Sequence, residues 1–267
     1  MQKIIQRYRY SAILLRQLVK TDFKLRYQGS VLGYAWSLLR PLFLFIILYF
    51  VFSEFIRLGD DMEHYPVYLL VGIVIWNYFT EVTTGNVTAI VGKGDLIRKL
   101  SFPRYIIVLS GCISALINLA FNTIVIAIVM LIAGTSIDIS KLYLLIPLLI
   151  ELTLLATGFA FLLSALYVRL RDVGYIWEVL MQAAFYLTPI IYPLAVAPEA
   201  VQKYLLLNPA AQVIQDVRYI VVTHQSTVIG DIWSPVVWLL PITLSVATAV
   251  IGGLYFRQRS KYFAEDV

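Results

Sequence analysis

An all-α integral membrane fold follows from three features of the sequence. The residue mix is 60% hydrophobic and only 14% charged, the mean hydropathy is +0.82, and six apolar stretches approach the length of a bilayer core. A water-facing surface of ordinary polarity cannot be made from this mix, so the solvent must be lipid. A hydrocarbon layer about 30 Å thick takes roughly 20 apolar residues per helix. The single cysteine, Cys112, lies in an apolar run and rules out a disulfide framework. His64 and His224 have no second ligand at metal spacing, so no metal site is expected.

The first 27 residues are too charged to span. As a helix they place Ile4, Tyr8, Ala12, Leu15, Val19 and Phe23 along one face, with Arg9, Arg16, Lys20 and Lys24 beside it. That pattern predicts an N-terminal amphipathic interfacial helix whose cations snorkel to phosphates. It serves either as a plain anchor or as a gate where a lipid-linked substrate enters. No compact apolar core with a cleavage site is present, so the segment is not read as a signal peptide.

Six transmembrane helices are predicted over 36–55, 65–85, 105–133, 142–168, 175–192 and 232–256. The third belongs to an uncharged run reaching Ile137, so it should tilt or project beyond the lipid. The fifth is short and ends in LTPIIYP. The stretch 193–231 is too long for a turn and reads as interfacial or re-entrant helices broken at Asn208–Pro209.

Assigning the loops alternately puts all but Arg57, Lys141, Lys203 and Arg218 of the 21 Lys and Arg on one side. Basic residues are retained in the cytoplasm during insertion, so both termini are expected there. The chain then forms one transmembrane domain: a gate segment 1–30, a helical region 36–256 and a cytoplasmic tail 257–267.

The loop 92–104 reads GKGDLIRKLSFPR. Its Leu96, Ile97, Leu100 and Phe102 are apolar anchors among cations, suited to a partner's groove, although a solvated positive-inside loop has the same composition. GKG lacks the remaining glycine and Lys-Ser/Thr spacing of a Walker A motif, so this chain is not expected to hold ATP. Glu151 falls near the middle of the fourth span, where a carboxyl is either held by a structural hydrogen bond or lies on a substrate path. Glu54, Glu81 and Glu178 fall near span ends. Without paired acids or a His relay, an ion-driven carrier is disfavoured. Most aromatic residues fit an interfacial belt. Tyr49, Phe185 and Tyr186 lie deeper and are candidates, with Glu151, for lining a glycan path.

The run DFKLRYQGSVLGYAWSLLRP (22–41) resembles the N-terminal signature of type-2 ABC exporter permeases for cell-surface polysaccharides, the group handling O-antigen, teichoic acid and capsule. LIRKLSFPR, LSALYVRLRDV, LTPIIYP and LNPAAQVIQDVR follow in order, so the resemblance covers nearly the whole chain. It implies two permease copies, each bound to a nucleotide-binding ABC ATPase that carries ATP and Mg, and an undecaprenyl-linked glycan as substrate. It further implies a gate at Lys20, Asp22, Lys24, Arg26 and Tyr27, and a coupling helix at Leu96, Arg98, Lys99, Phe102 and Arg104. Arg169, Arg171 and Asp172 become a secondary contact near the ATPase. The position before Pro41, often Asn in the family, is Arg40, which would either pair with a lipid or pyrophosphate headgroup or snorkel. The expected location is the bacterial cytoplasmic membrane, with no nucleic-acid partner and no bond chemistry in this chain. A small-molecule or drug exporter of the same fold is the alternative. A membrane-embedded transferase is a third class, but the clustered acids it needs are not visible in the sequence.

Overall fold

The computed structural model describes residues 2–27, 29–30, 32–57, 64–135, 139–222, 226–233 and 235–266. The side chains of residues 2–9, Arg26, Tyr27, Tyr34, Glu54, Pro235 and Val236, and the whole of His224, lie outside the described residues. Regular structure among the described residues is helical throughout: α1 (Gln2–Tyr27), α2 (Trp36–Tyr49, continued by a wider π turn Phe50–Phe55), α3 (Tyr65–Val87), α4 (Ala89–Gly92), α5 (Gly94–Lys99) and α6 (Tyr105–Ala133). The second half comprises α7 (Leu145–Tyr167), α8 (Val173–Leu187), α9 (Glu199–Leu205), α10 (Pro209–Val221), α11 (Ile229–Ile232), α12 (Leu239–Arg259) and α13 (Phe263–Asp266).

Helix α3 is the hub. Over 65–76 it is apolar around its whole circumference, the pattern of a helix buried on all sides, and α2, α6, α7, α8 and α10 all pack on α3. On the far side of α7 lies α12, at backbone contact. A Cβ on Gly252 would fall 2.1 Å from the Gly158 carbonyl oxygen, so two glycines permit the approach. Gly111 and Ala115, a small-residue pair of the kind that can join copies, are used within the chain: Gly111 packs on the Asn86 amide and Ala115 is fully buried.

Among the described residues five stretches are long and apolar enough to cross a membrane: Trp36–Ser53, Tyr65–Val87, Tyr105–Ala133, Ile139–Tyr167 and Leu239–Arg259. The expected fifth span is helical only over α8, 15 residues or about 22 Å. Pro189 bars Thr188 from the helical region, and Thr188 is extended at φ −79°, ψ 138°. Even so, α8 starts beside Tyr167 and Val87, and the chain after it reaches Tyr65, whose hydroxyl donates to the Ile191 carbonyl at 2.9 Å. It therefore runs the length of α3.

Helix α1 lies along α6. Its inward face is centred on Leu18, with Leu14 and Leu15 packed beside it, whereas Ala12 is exposed. The expected stripe is thus rotated. It was drawn for a helix resting on headgroups alone, and α1 also leans on a neighbouring helix.

Facing this packing, α6 carries Ser110, Ser114, Asn118 and Asn122, all buried and one turn apart. Asn118 donates to Glu81 at 2.6 Å. Pro41 inside α2 cannot bond the Ser37 carbonyl one turn back, and Asn122 Nδ2 reaches that oxygen at 3.5 Å.

Between α8 and α12 the chain is helical but broken. Asn208 caps α10 by accepting from the Ala210 amide at 3.1 Å, and Pro209 occupies the first turn. This is the break expected at Asn208–Pro209.

Candidate functional site

Two assemblies occupy opposite ends of α3. At the Val87 end, α4 and α5 meet at Lys93. Its ammonium donates to both Asp22 oxygens, at 3.0 and 3.2 Å. The Ser110 hydroxyl lies 3.3 Å from the same carboxylate and also bonds the Ile107 carbonyl. Both members of the ion pair are about three-quarters shielded, at 24% and 23% exposure.

Helix α5 and the following strand of chain present a mixed surface. Ile97 is buried, Leu96 and Phe102 are half-buried against the core, and Leu100 stands exposed beside Arg98 and Lys99. Arg98 bonds Asp95 at 2.7 Å and holds that carboxyl below the usual carboxylate range. A cavity of about 740 Å³ lies between Tyr10 and Ser11 of α1 and residues 97–104. Behind α5 sits the C-terminal tail. Arg104 donates to the Ser260 carbonyl, Phe263 is buried edge-on against Phe256 at 5.3 Å, and Arg169 pairs with Asp266 at 3.5 Å.

The residues expected to form a gate do not share one face. Lys20 and Lys24 are exposed on α1 and Arg40 is exposed on α2, while Asp22 turns inward to Lys93. Arg26 and Tyr27 have side chains outside the described residues. Of the residues expected to couple to an ATPase, Arg98 and Lys99 face outward, whereas Leu96, Phe102 and Arg104 are engaged by the protein itself.

At the Tyr65 end lies a fully buried arginine that charge counting had placed merely among the few cations of the far side. Arg218 of α10 donates from Nε to the Tyr68 carbonyl at 3.0 Å, and from its terminal nitrogens to the Pro189 and Ile190 carbonyls, each at 2.6 Å, and to Gln215 at 3.2 Å. Its guanidinium carbon lies 3.5 Å from the centre of the Tyr68 ring. A Cβ on Gly72 would lie 2.1 Å from the guanidinium, so glycine is needed there. Lipid offers no hydrogen bonds to the carbonyls freed where α8 ends, and Arg218 supplies them.

The candidates for a glycan path have separate surroundings. Tyr49 stacks on Phe45 at 5.8 Å. Phe185 packs on Trp76 at 6.3 Å and on Tyr186 at 5.4 Å, and Tyr186 is exposed. Glu151 is buried on α7, its Oε1 without a hydrogen-bond partner among the described residues and Asp216 of α10 within electrostatic reach. Asp216 accepts from the Trp238 indole at 3.0 Å and borders an apolar cavity with Leu148 and Tyr219.

Residues 13–222 match the family model described as ABC-2 type transporter. The chain belongs to that family. An ABC-2 transporter chain with these helices is a multi-pass membrane protein. The chain is similar to an O-antigen export system permease protein RfbA of Myxococcus xanthus, 25% identical over 262 residues and 97% of each chain. It is also similar to an RfbA of Klebsiella pneumoniae, 28% identical over 75% of this chain and 77% of the relative. The polysialic acid transport protein KpsM of Escherichia coli is 23% identical over 79% of this chain and 80% of its own. The ABC-2 match takes in α10 and Arg218, the last residue of LNPAAQVIQDVR.

Proposed function

We propose that this chain is the transmembrane permease subunit of an ATP-driven exporter that moves lipid-linked polysaccharide across the bacterial cytoplasmic membrane. The observation that carries the reading is end-to-end similarity to a permease named for O-antigen export, 97% of each chain, within a family matched over residues 13–222. The chain performs no bond chemistry; ATP and Mg belong to a nucleotide-binding partner. A second copy completes the pore.

Six crossings fit the geometry. Although α8 is short, α8 and the turns of 188–192 together run from the Val87 end of α3 to its Tyr65 end. The cation-rich end is then cytoplasmic, and 193–231 forms a broken, re-entrant segment at the outer face, pinned by Arg218. Helix α1 is the interfacial gate, where Lys20, Lys24 and Arg40 are free of the core and face the phosphates of an undecaprenyl-linked glycan. Residues 92–104 take the push of the ATPase through the exposed Arg98, Lys99 and Leu100. The sugars pass between two copies, with Phe185 and Tyr186 among the rings at hand.

Purification of the chain with its ATPase partner, followed by mass spectrometry of the retained lipid, tests the substrate class. A polyprenyl-linked glycan is expected. Retention of a small amphiphile with no polyprenyl glycan would make the chain a drug-type exporter of the same fold.

A further inference from the structure

Asp22 is the only acidic residue among the first 27, in a segment with seven Lys and Arg. A carboxylate that merely balanced this charge would stay at the surface among those cations. Asp22 instead turns away from Lys20 and Lys24, which are exposed, and accepts from Lys93 at the α4–α5 junction on both oxygens and from the Ser110 hydroxyl of α6 on one. The contact is bidentate and largely shielded, which makes it less sensitive to salt than a surface pair.

Its place in the fold gives it a use. Among the described residues of α1, which packs along α6, Leu14, Leu15 and Leu18 join the core. Asp22 lies one turn beyond Leu18 on the same face, where α1 comes up to the segment that carries Ile97 and Leu100. Lys93 is the hinge residue of that segment: its backbone, at φ −115° and ψ 24°, ends α4 and begins α5. A push on α5 therefore has this ion pair as a route to α1.

We propose that Asp22 and Lys93 are positioning residues that join the N-terminal helix to the ATPase-facing segment, so that movement of α5 carries the gate with it. The inference rests on the exporter reading above, and it assigns Asp22 to force transmission instead of headgroup binding.

The test uses vesicles containing the whole chain with its ATPase partner, loaded with undecaprenyl-linked glycan, and reads glycan moved per ATP hydrolysed. Lys93 is partly exposed, so K93M is the primary variant and K93R the conservative control. K93M lowers the ratio by about tenfold, the usual scale of a coupling energy, with ATP hydrolysis and complex assembly kept. K93R retains the ratio, and D22N behaves as K93M does. A normal ratio in K93M, an equal fall of hydrolysis and transport, or a loss in K93R as large as in K93M overturns the role. A wild-type complex that moves no glycan overturns the exporter reading and this role with it. A working wild type with a normal K93M overturns the role alone.

Discussion

Arg218 and Tyr68 are bound twice over: the guanidinium lies on the phenol ring, 3.5 Å from its centre, and its Nε donates to the carbonyl of the same residue at 3.0 Å. One side chain thus fastens α10 to α3 while its other nitrogens close off the chain leaving α8. Replacing Arg218 with Met strands the Pro189 and Ile190 carbonyls in a dry site. The expected cost is about 3–5 kcal/mol, the scale of removing one partner from a buried charged network. R218M should lose thermal stability in detergent, with amide exchange rising first in α10 and at residues 188–192.

The same clamp makes Gly72 intolerant. G72A places a methyl 2.1 Å from the guanidinium, and overpacking of this kind costs about 1–3 kcal/mol or more. G85A, where nothing lies within 4 Å, serves as the control on the same helix. Melting in detergent should separate the two variants, with G85A unchanged or slightly raised.

Leu96, Leu100 and Phe102 all read from sequence as partner-facing anchors or neighbours of them, and the structure divides them. Leu100 is 44% exposed, whereas Leu96 and Phe102 pack on the core. L100D should weaken recovery of the ATPase partner by about tenfold while melting as the wild type does, since apolar anchors dominate such interfaces. L96D should lower the melting temperature itself. Co-purification yield and thermal scans on the same samples distinguish the two effects.

The six-crossing topology has a direct chemical readout. Cys112 is buried at 3% exposure, so the native chain offers little background to a thiol reagent. With α8 crossing, S101C is labelled by an impermeant maleimide only after the membrane is opened, while E199C is labelled from outside intact cells. Labelling of both positions from the same side would mean that α8 turns back within the membrane.

Much of this architecture was legible because one-dimensional signals coincide with physical boundaries. Helix α6 occupies the expected 105–133, starting after Pro103 and ending at Gly134 with φ 69°, where a left-handed residue closes the last turn. The fifth span was overdrawn because its hydropathy runs through Pro189, yet hydropathy carries no information about φ and ψ. The rotation of α1 towards Leu18 escaped notice because an apolar stripe does not say whether lipid or another helix faces it. Arg218 was counted only by side of the membrane. Its burial depends on Tyr68, 150 residues away, and on carbonyls 28 and 29 residues away, a convergence no local pattern encodes. The Asp22–Lys93 contact is of the same kind, spanning 71 residues between two segments each read separately as cationic.

The central claim, that the chain is a polysaccharide permease driven by a separate ATPase, is tested most directly by reconstituting both subunits in vesicles with undecaprenyl-linked glycan in the ATP-accessible leaflet. ATP-dependent appearance of the glycan in the opposite leaflet, absent when this chain is omitted, is the result predicted. ATP hydrolysis that neither moves the glycan nor responds to it would contradict the claim.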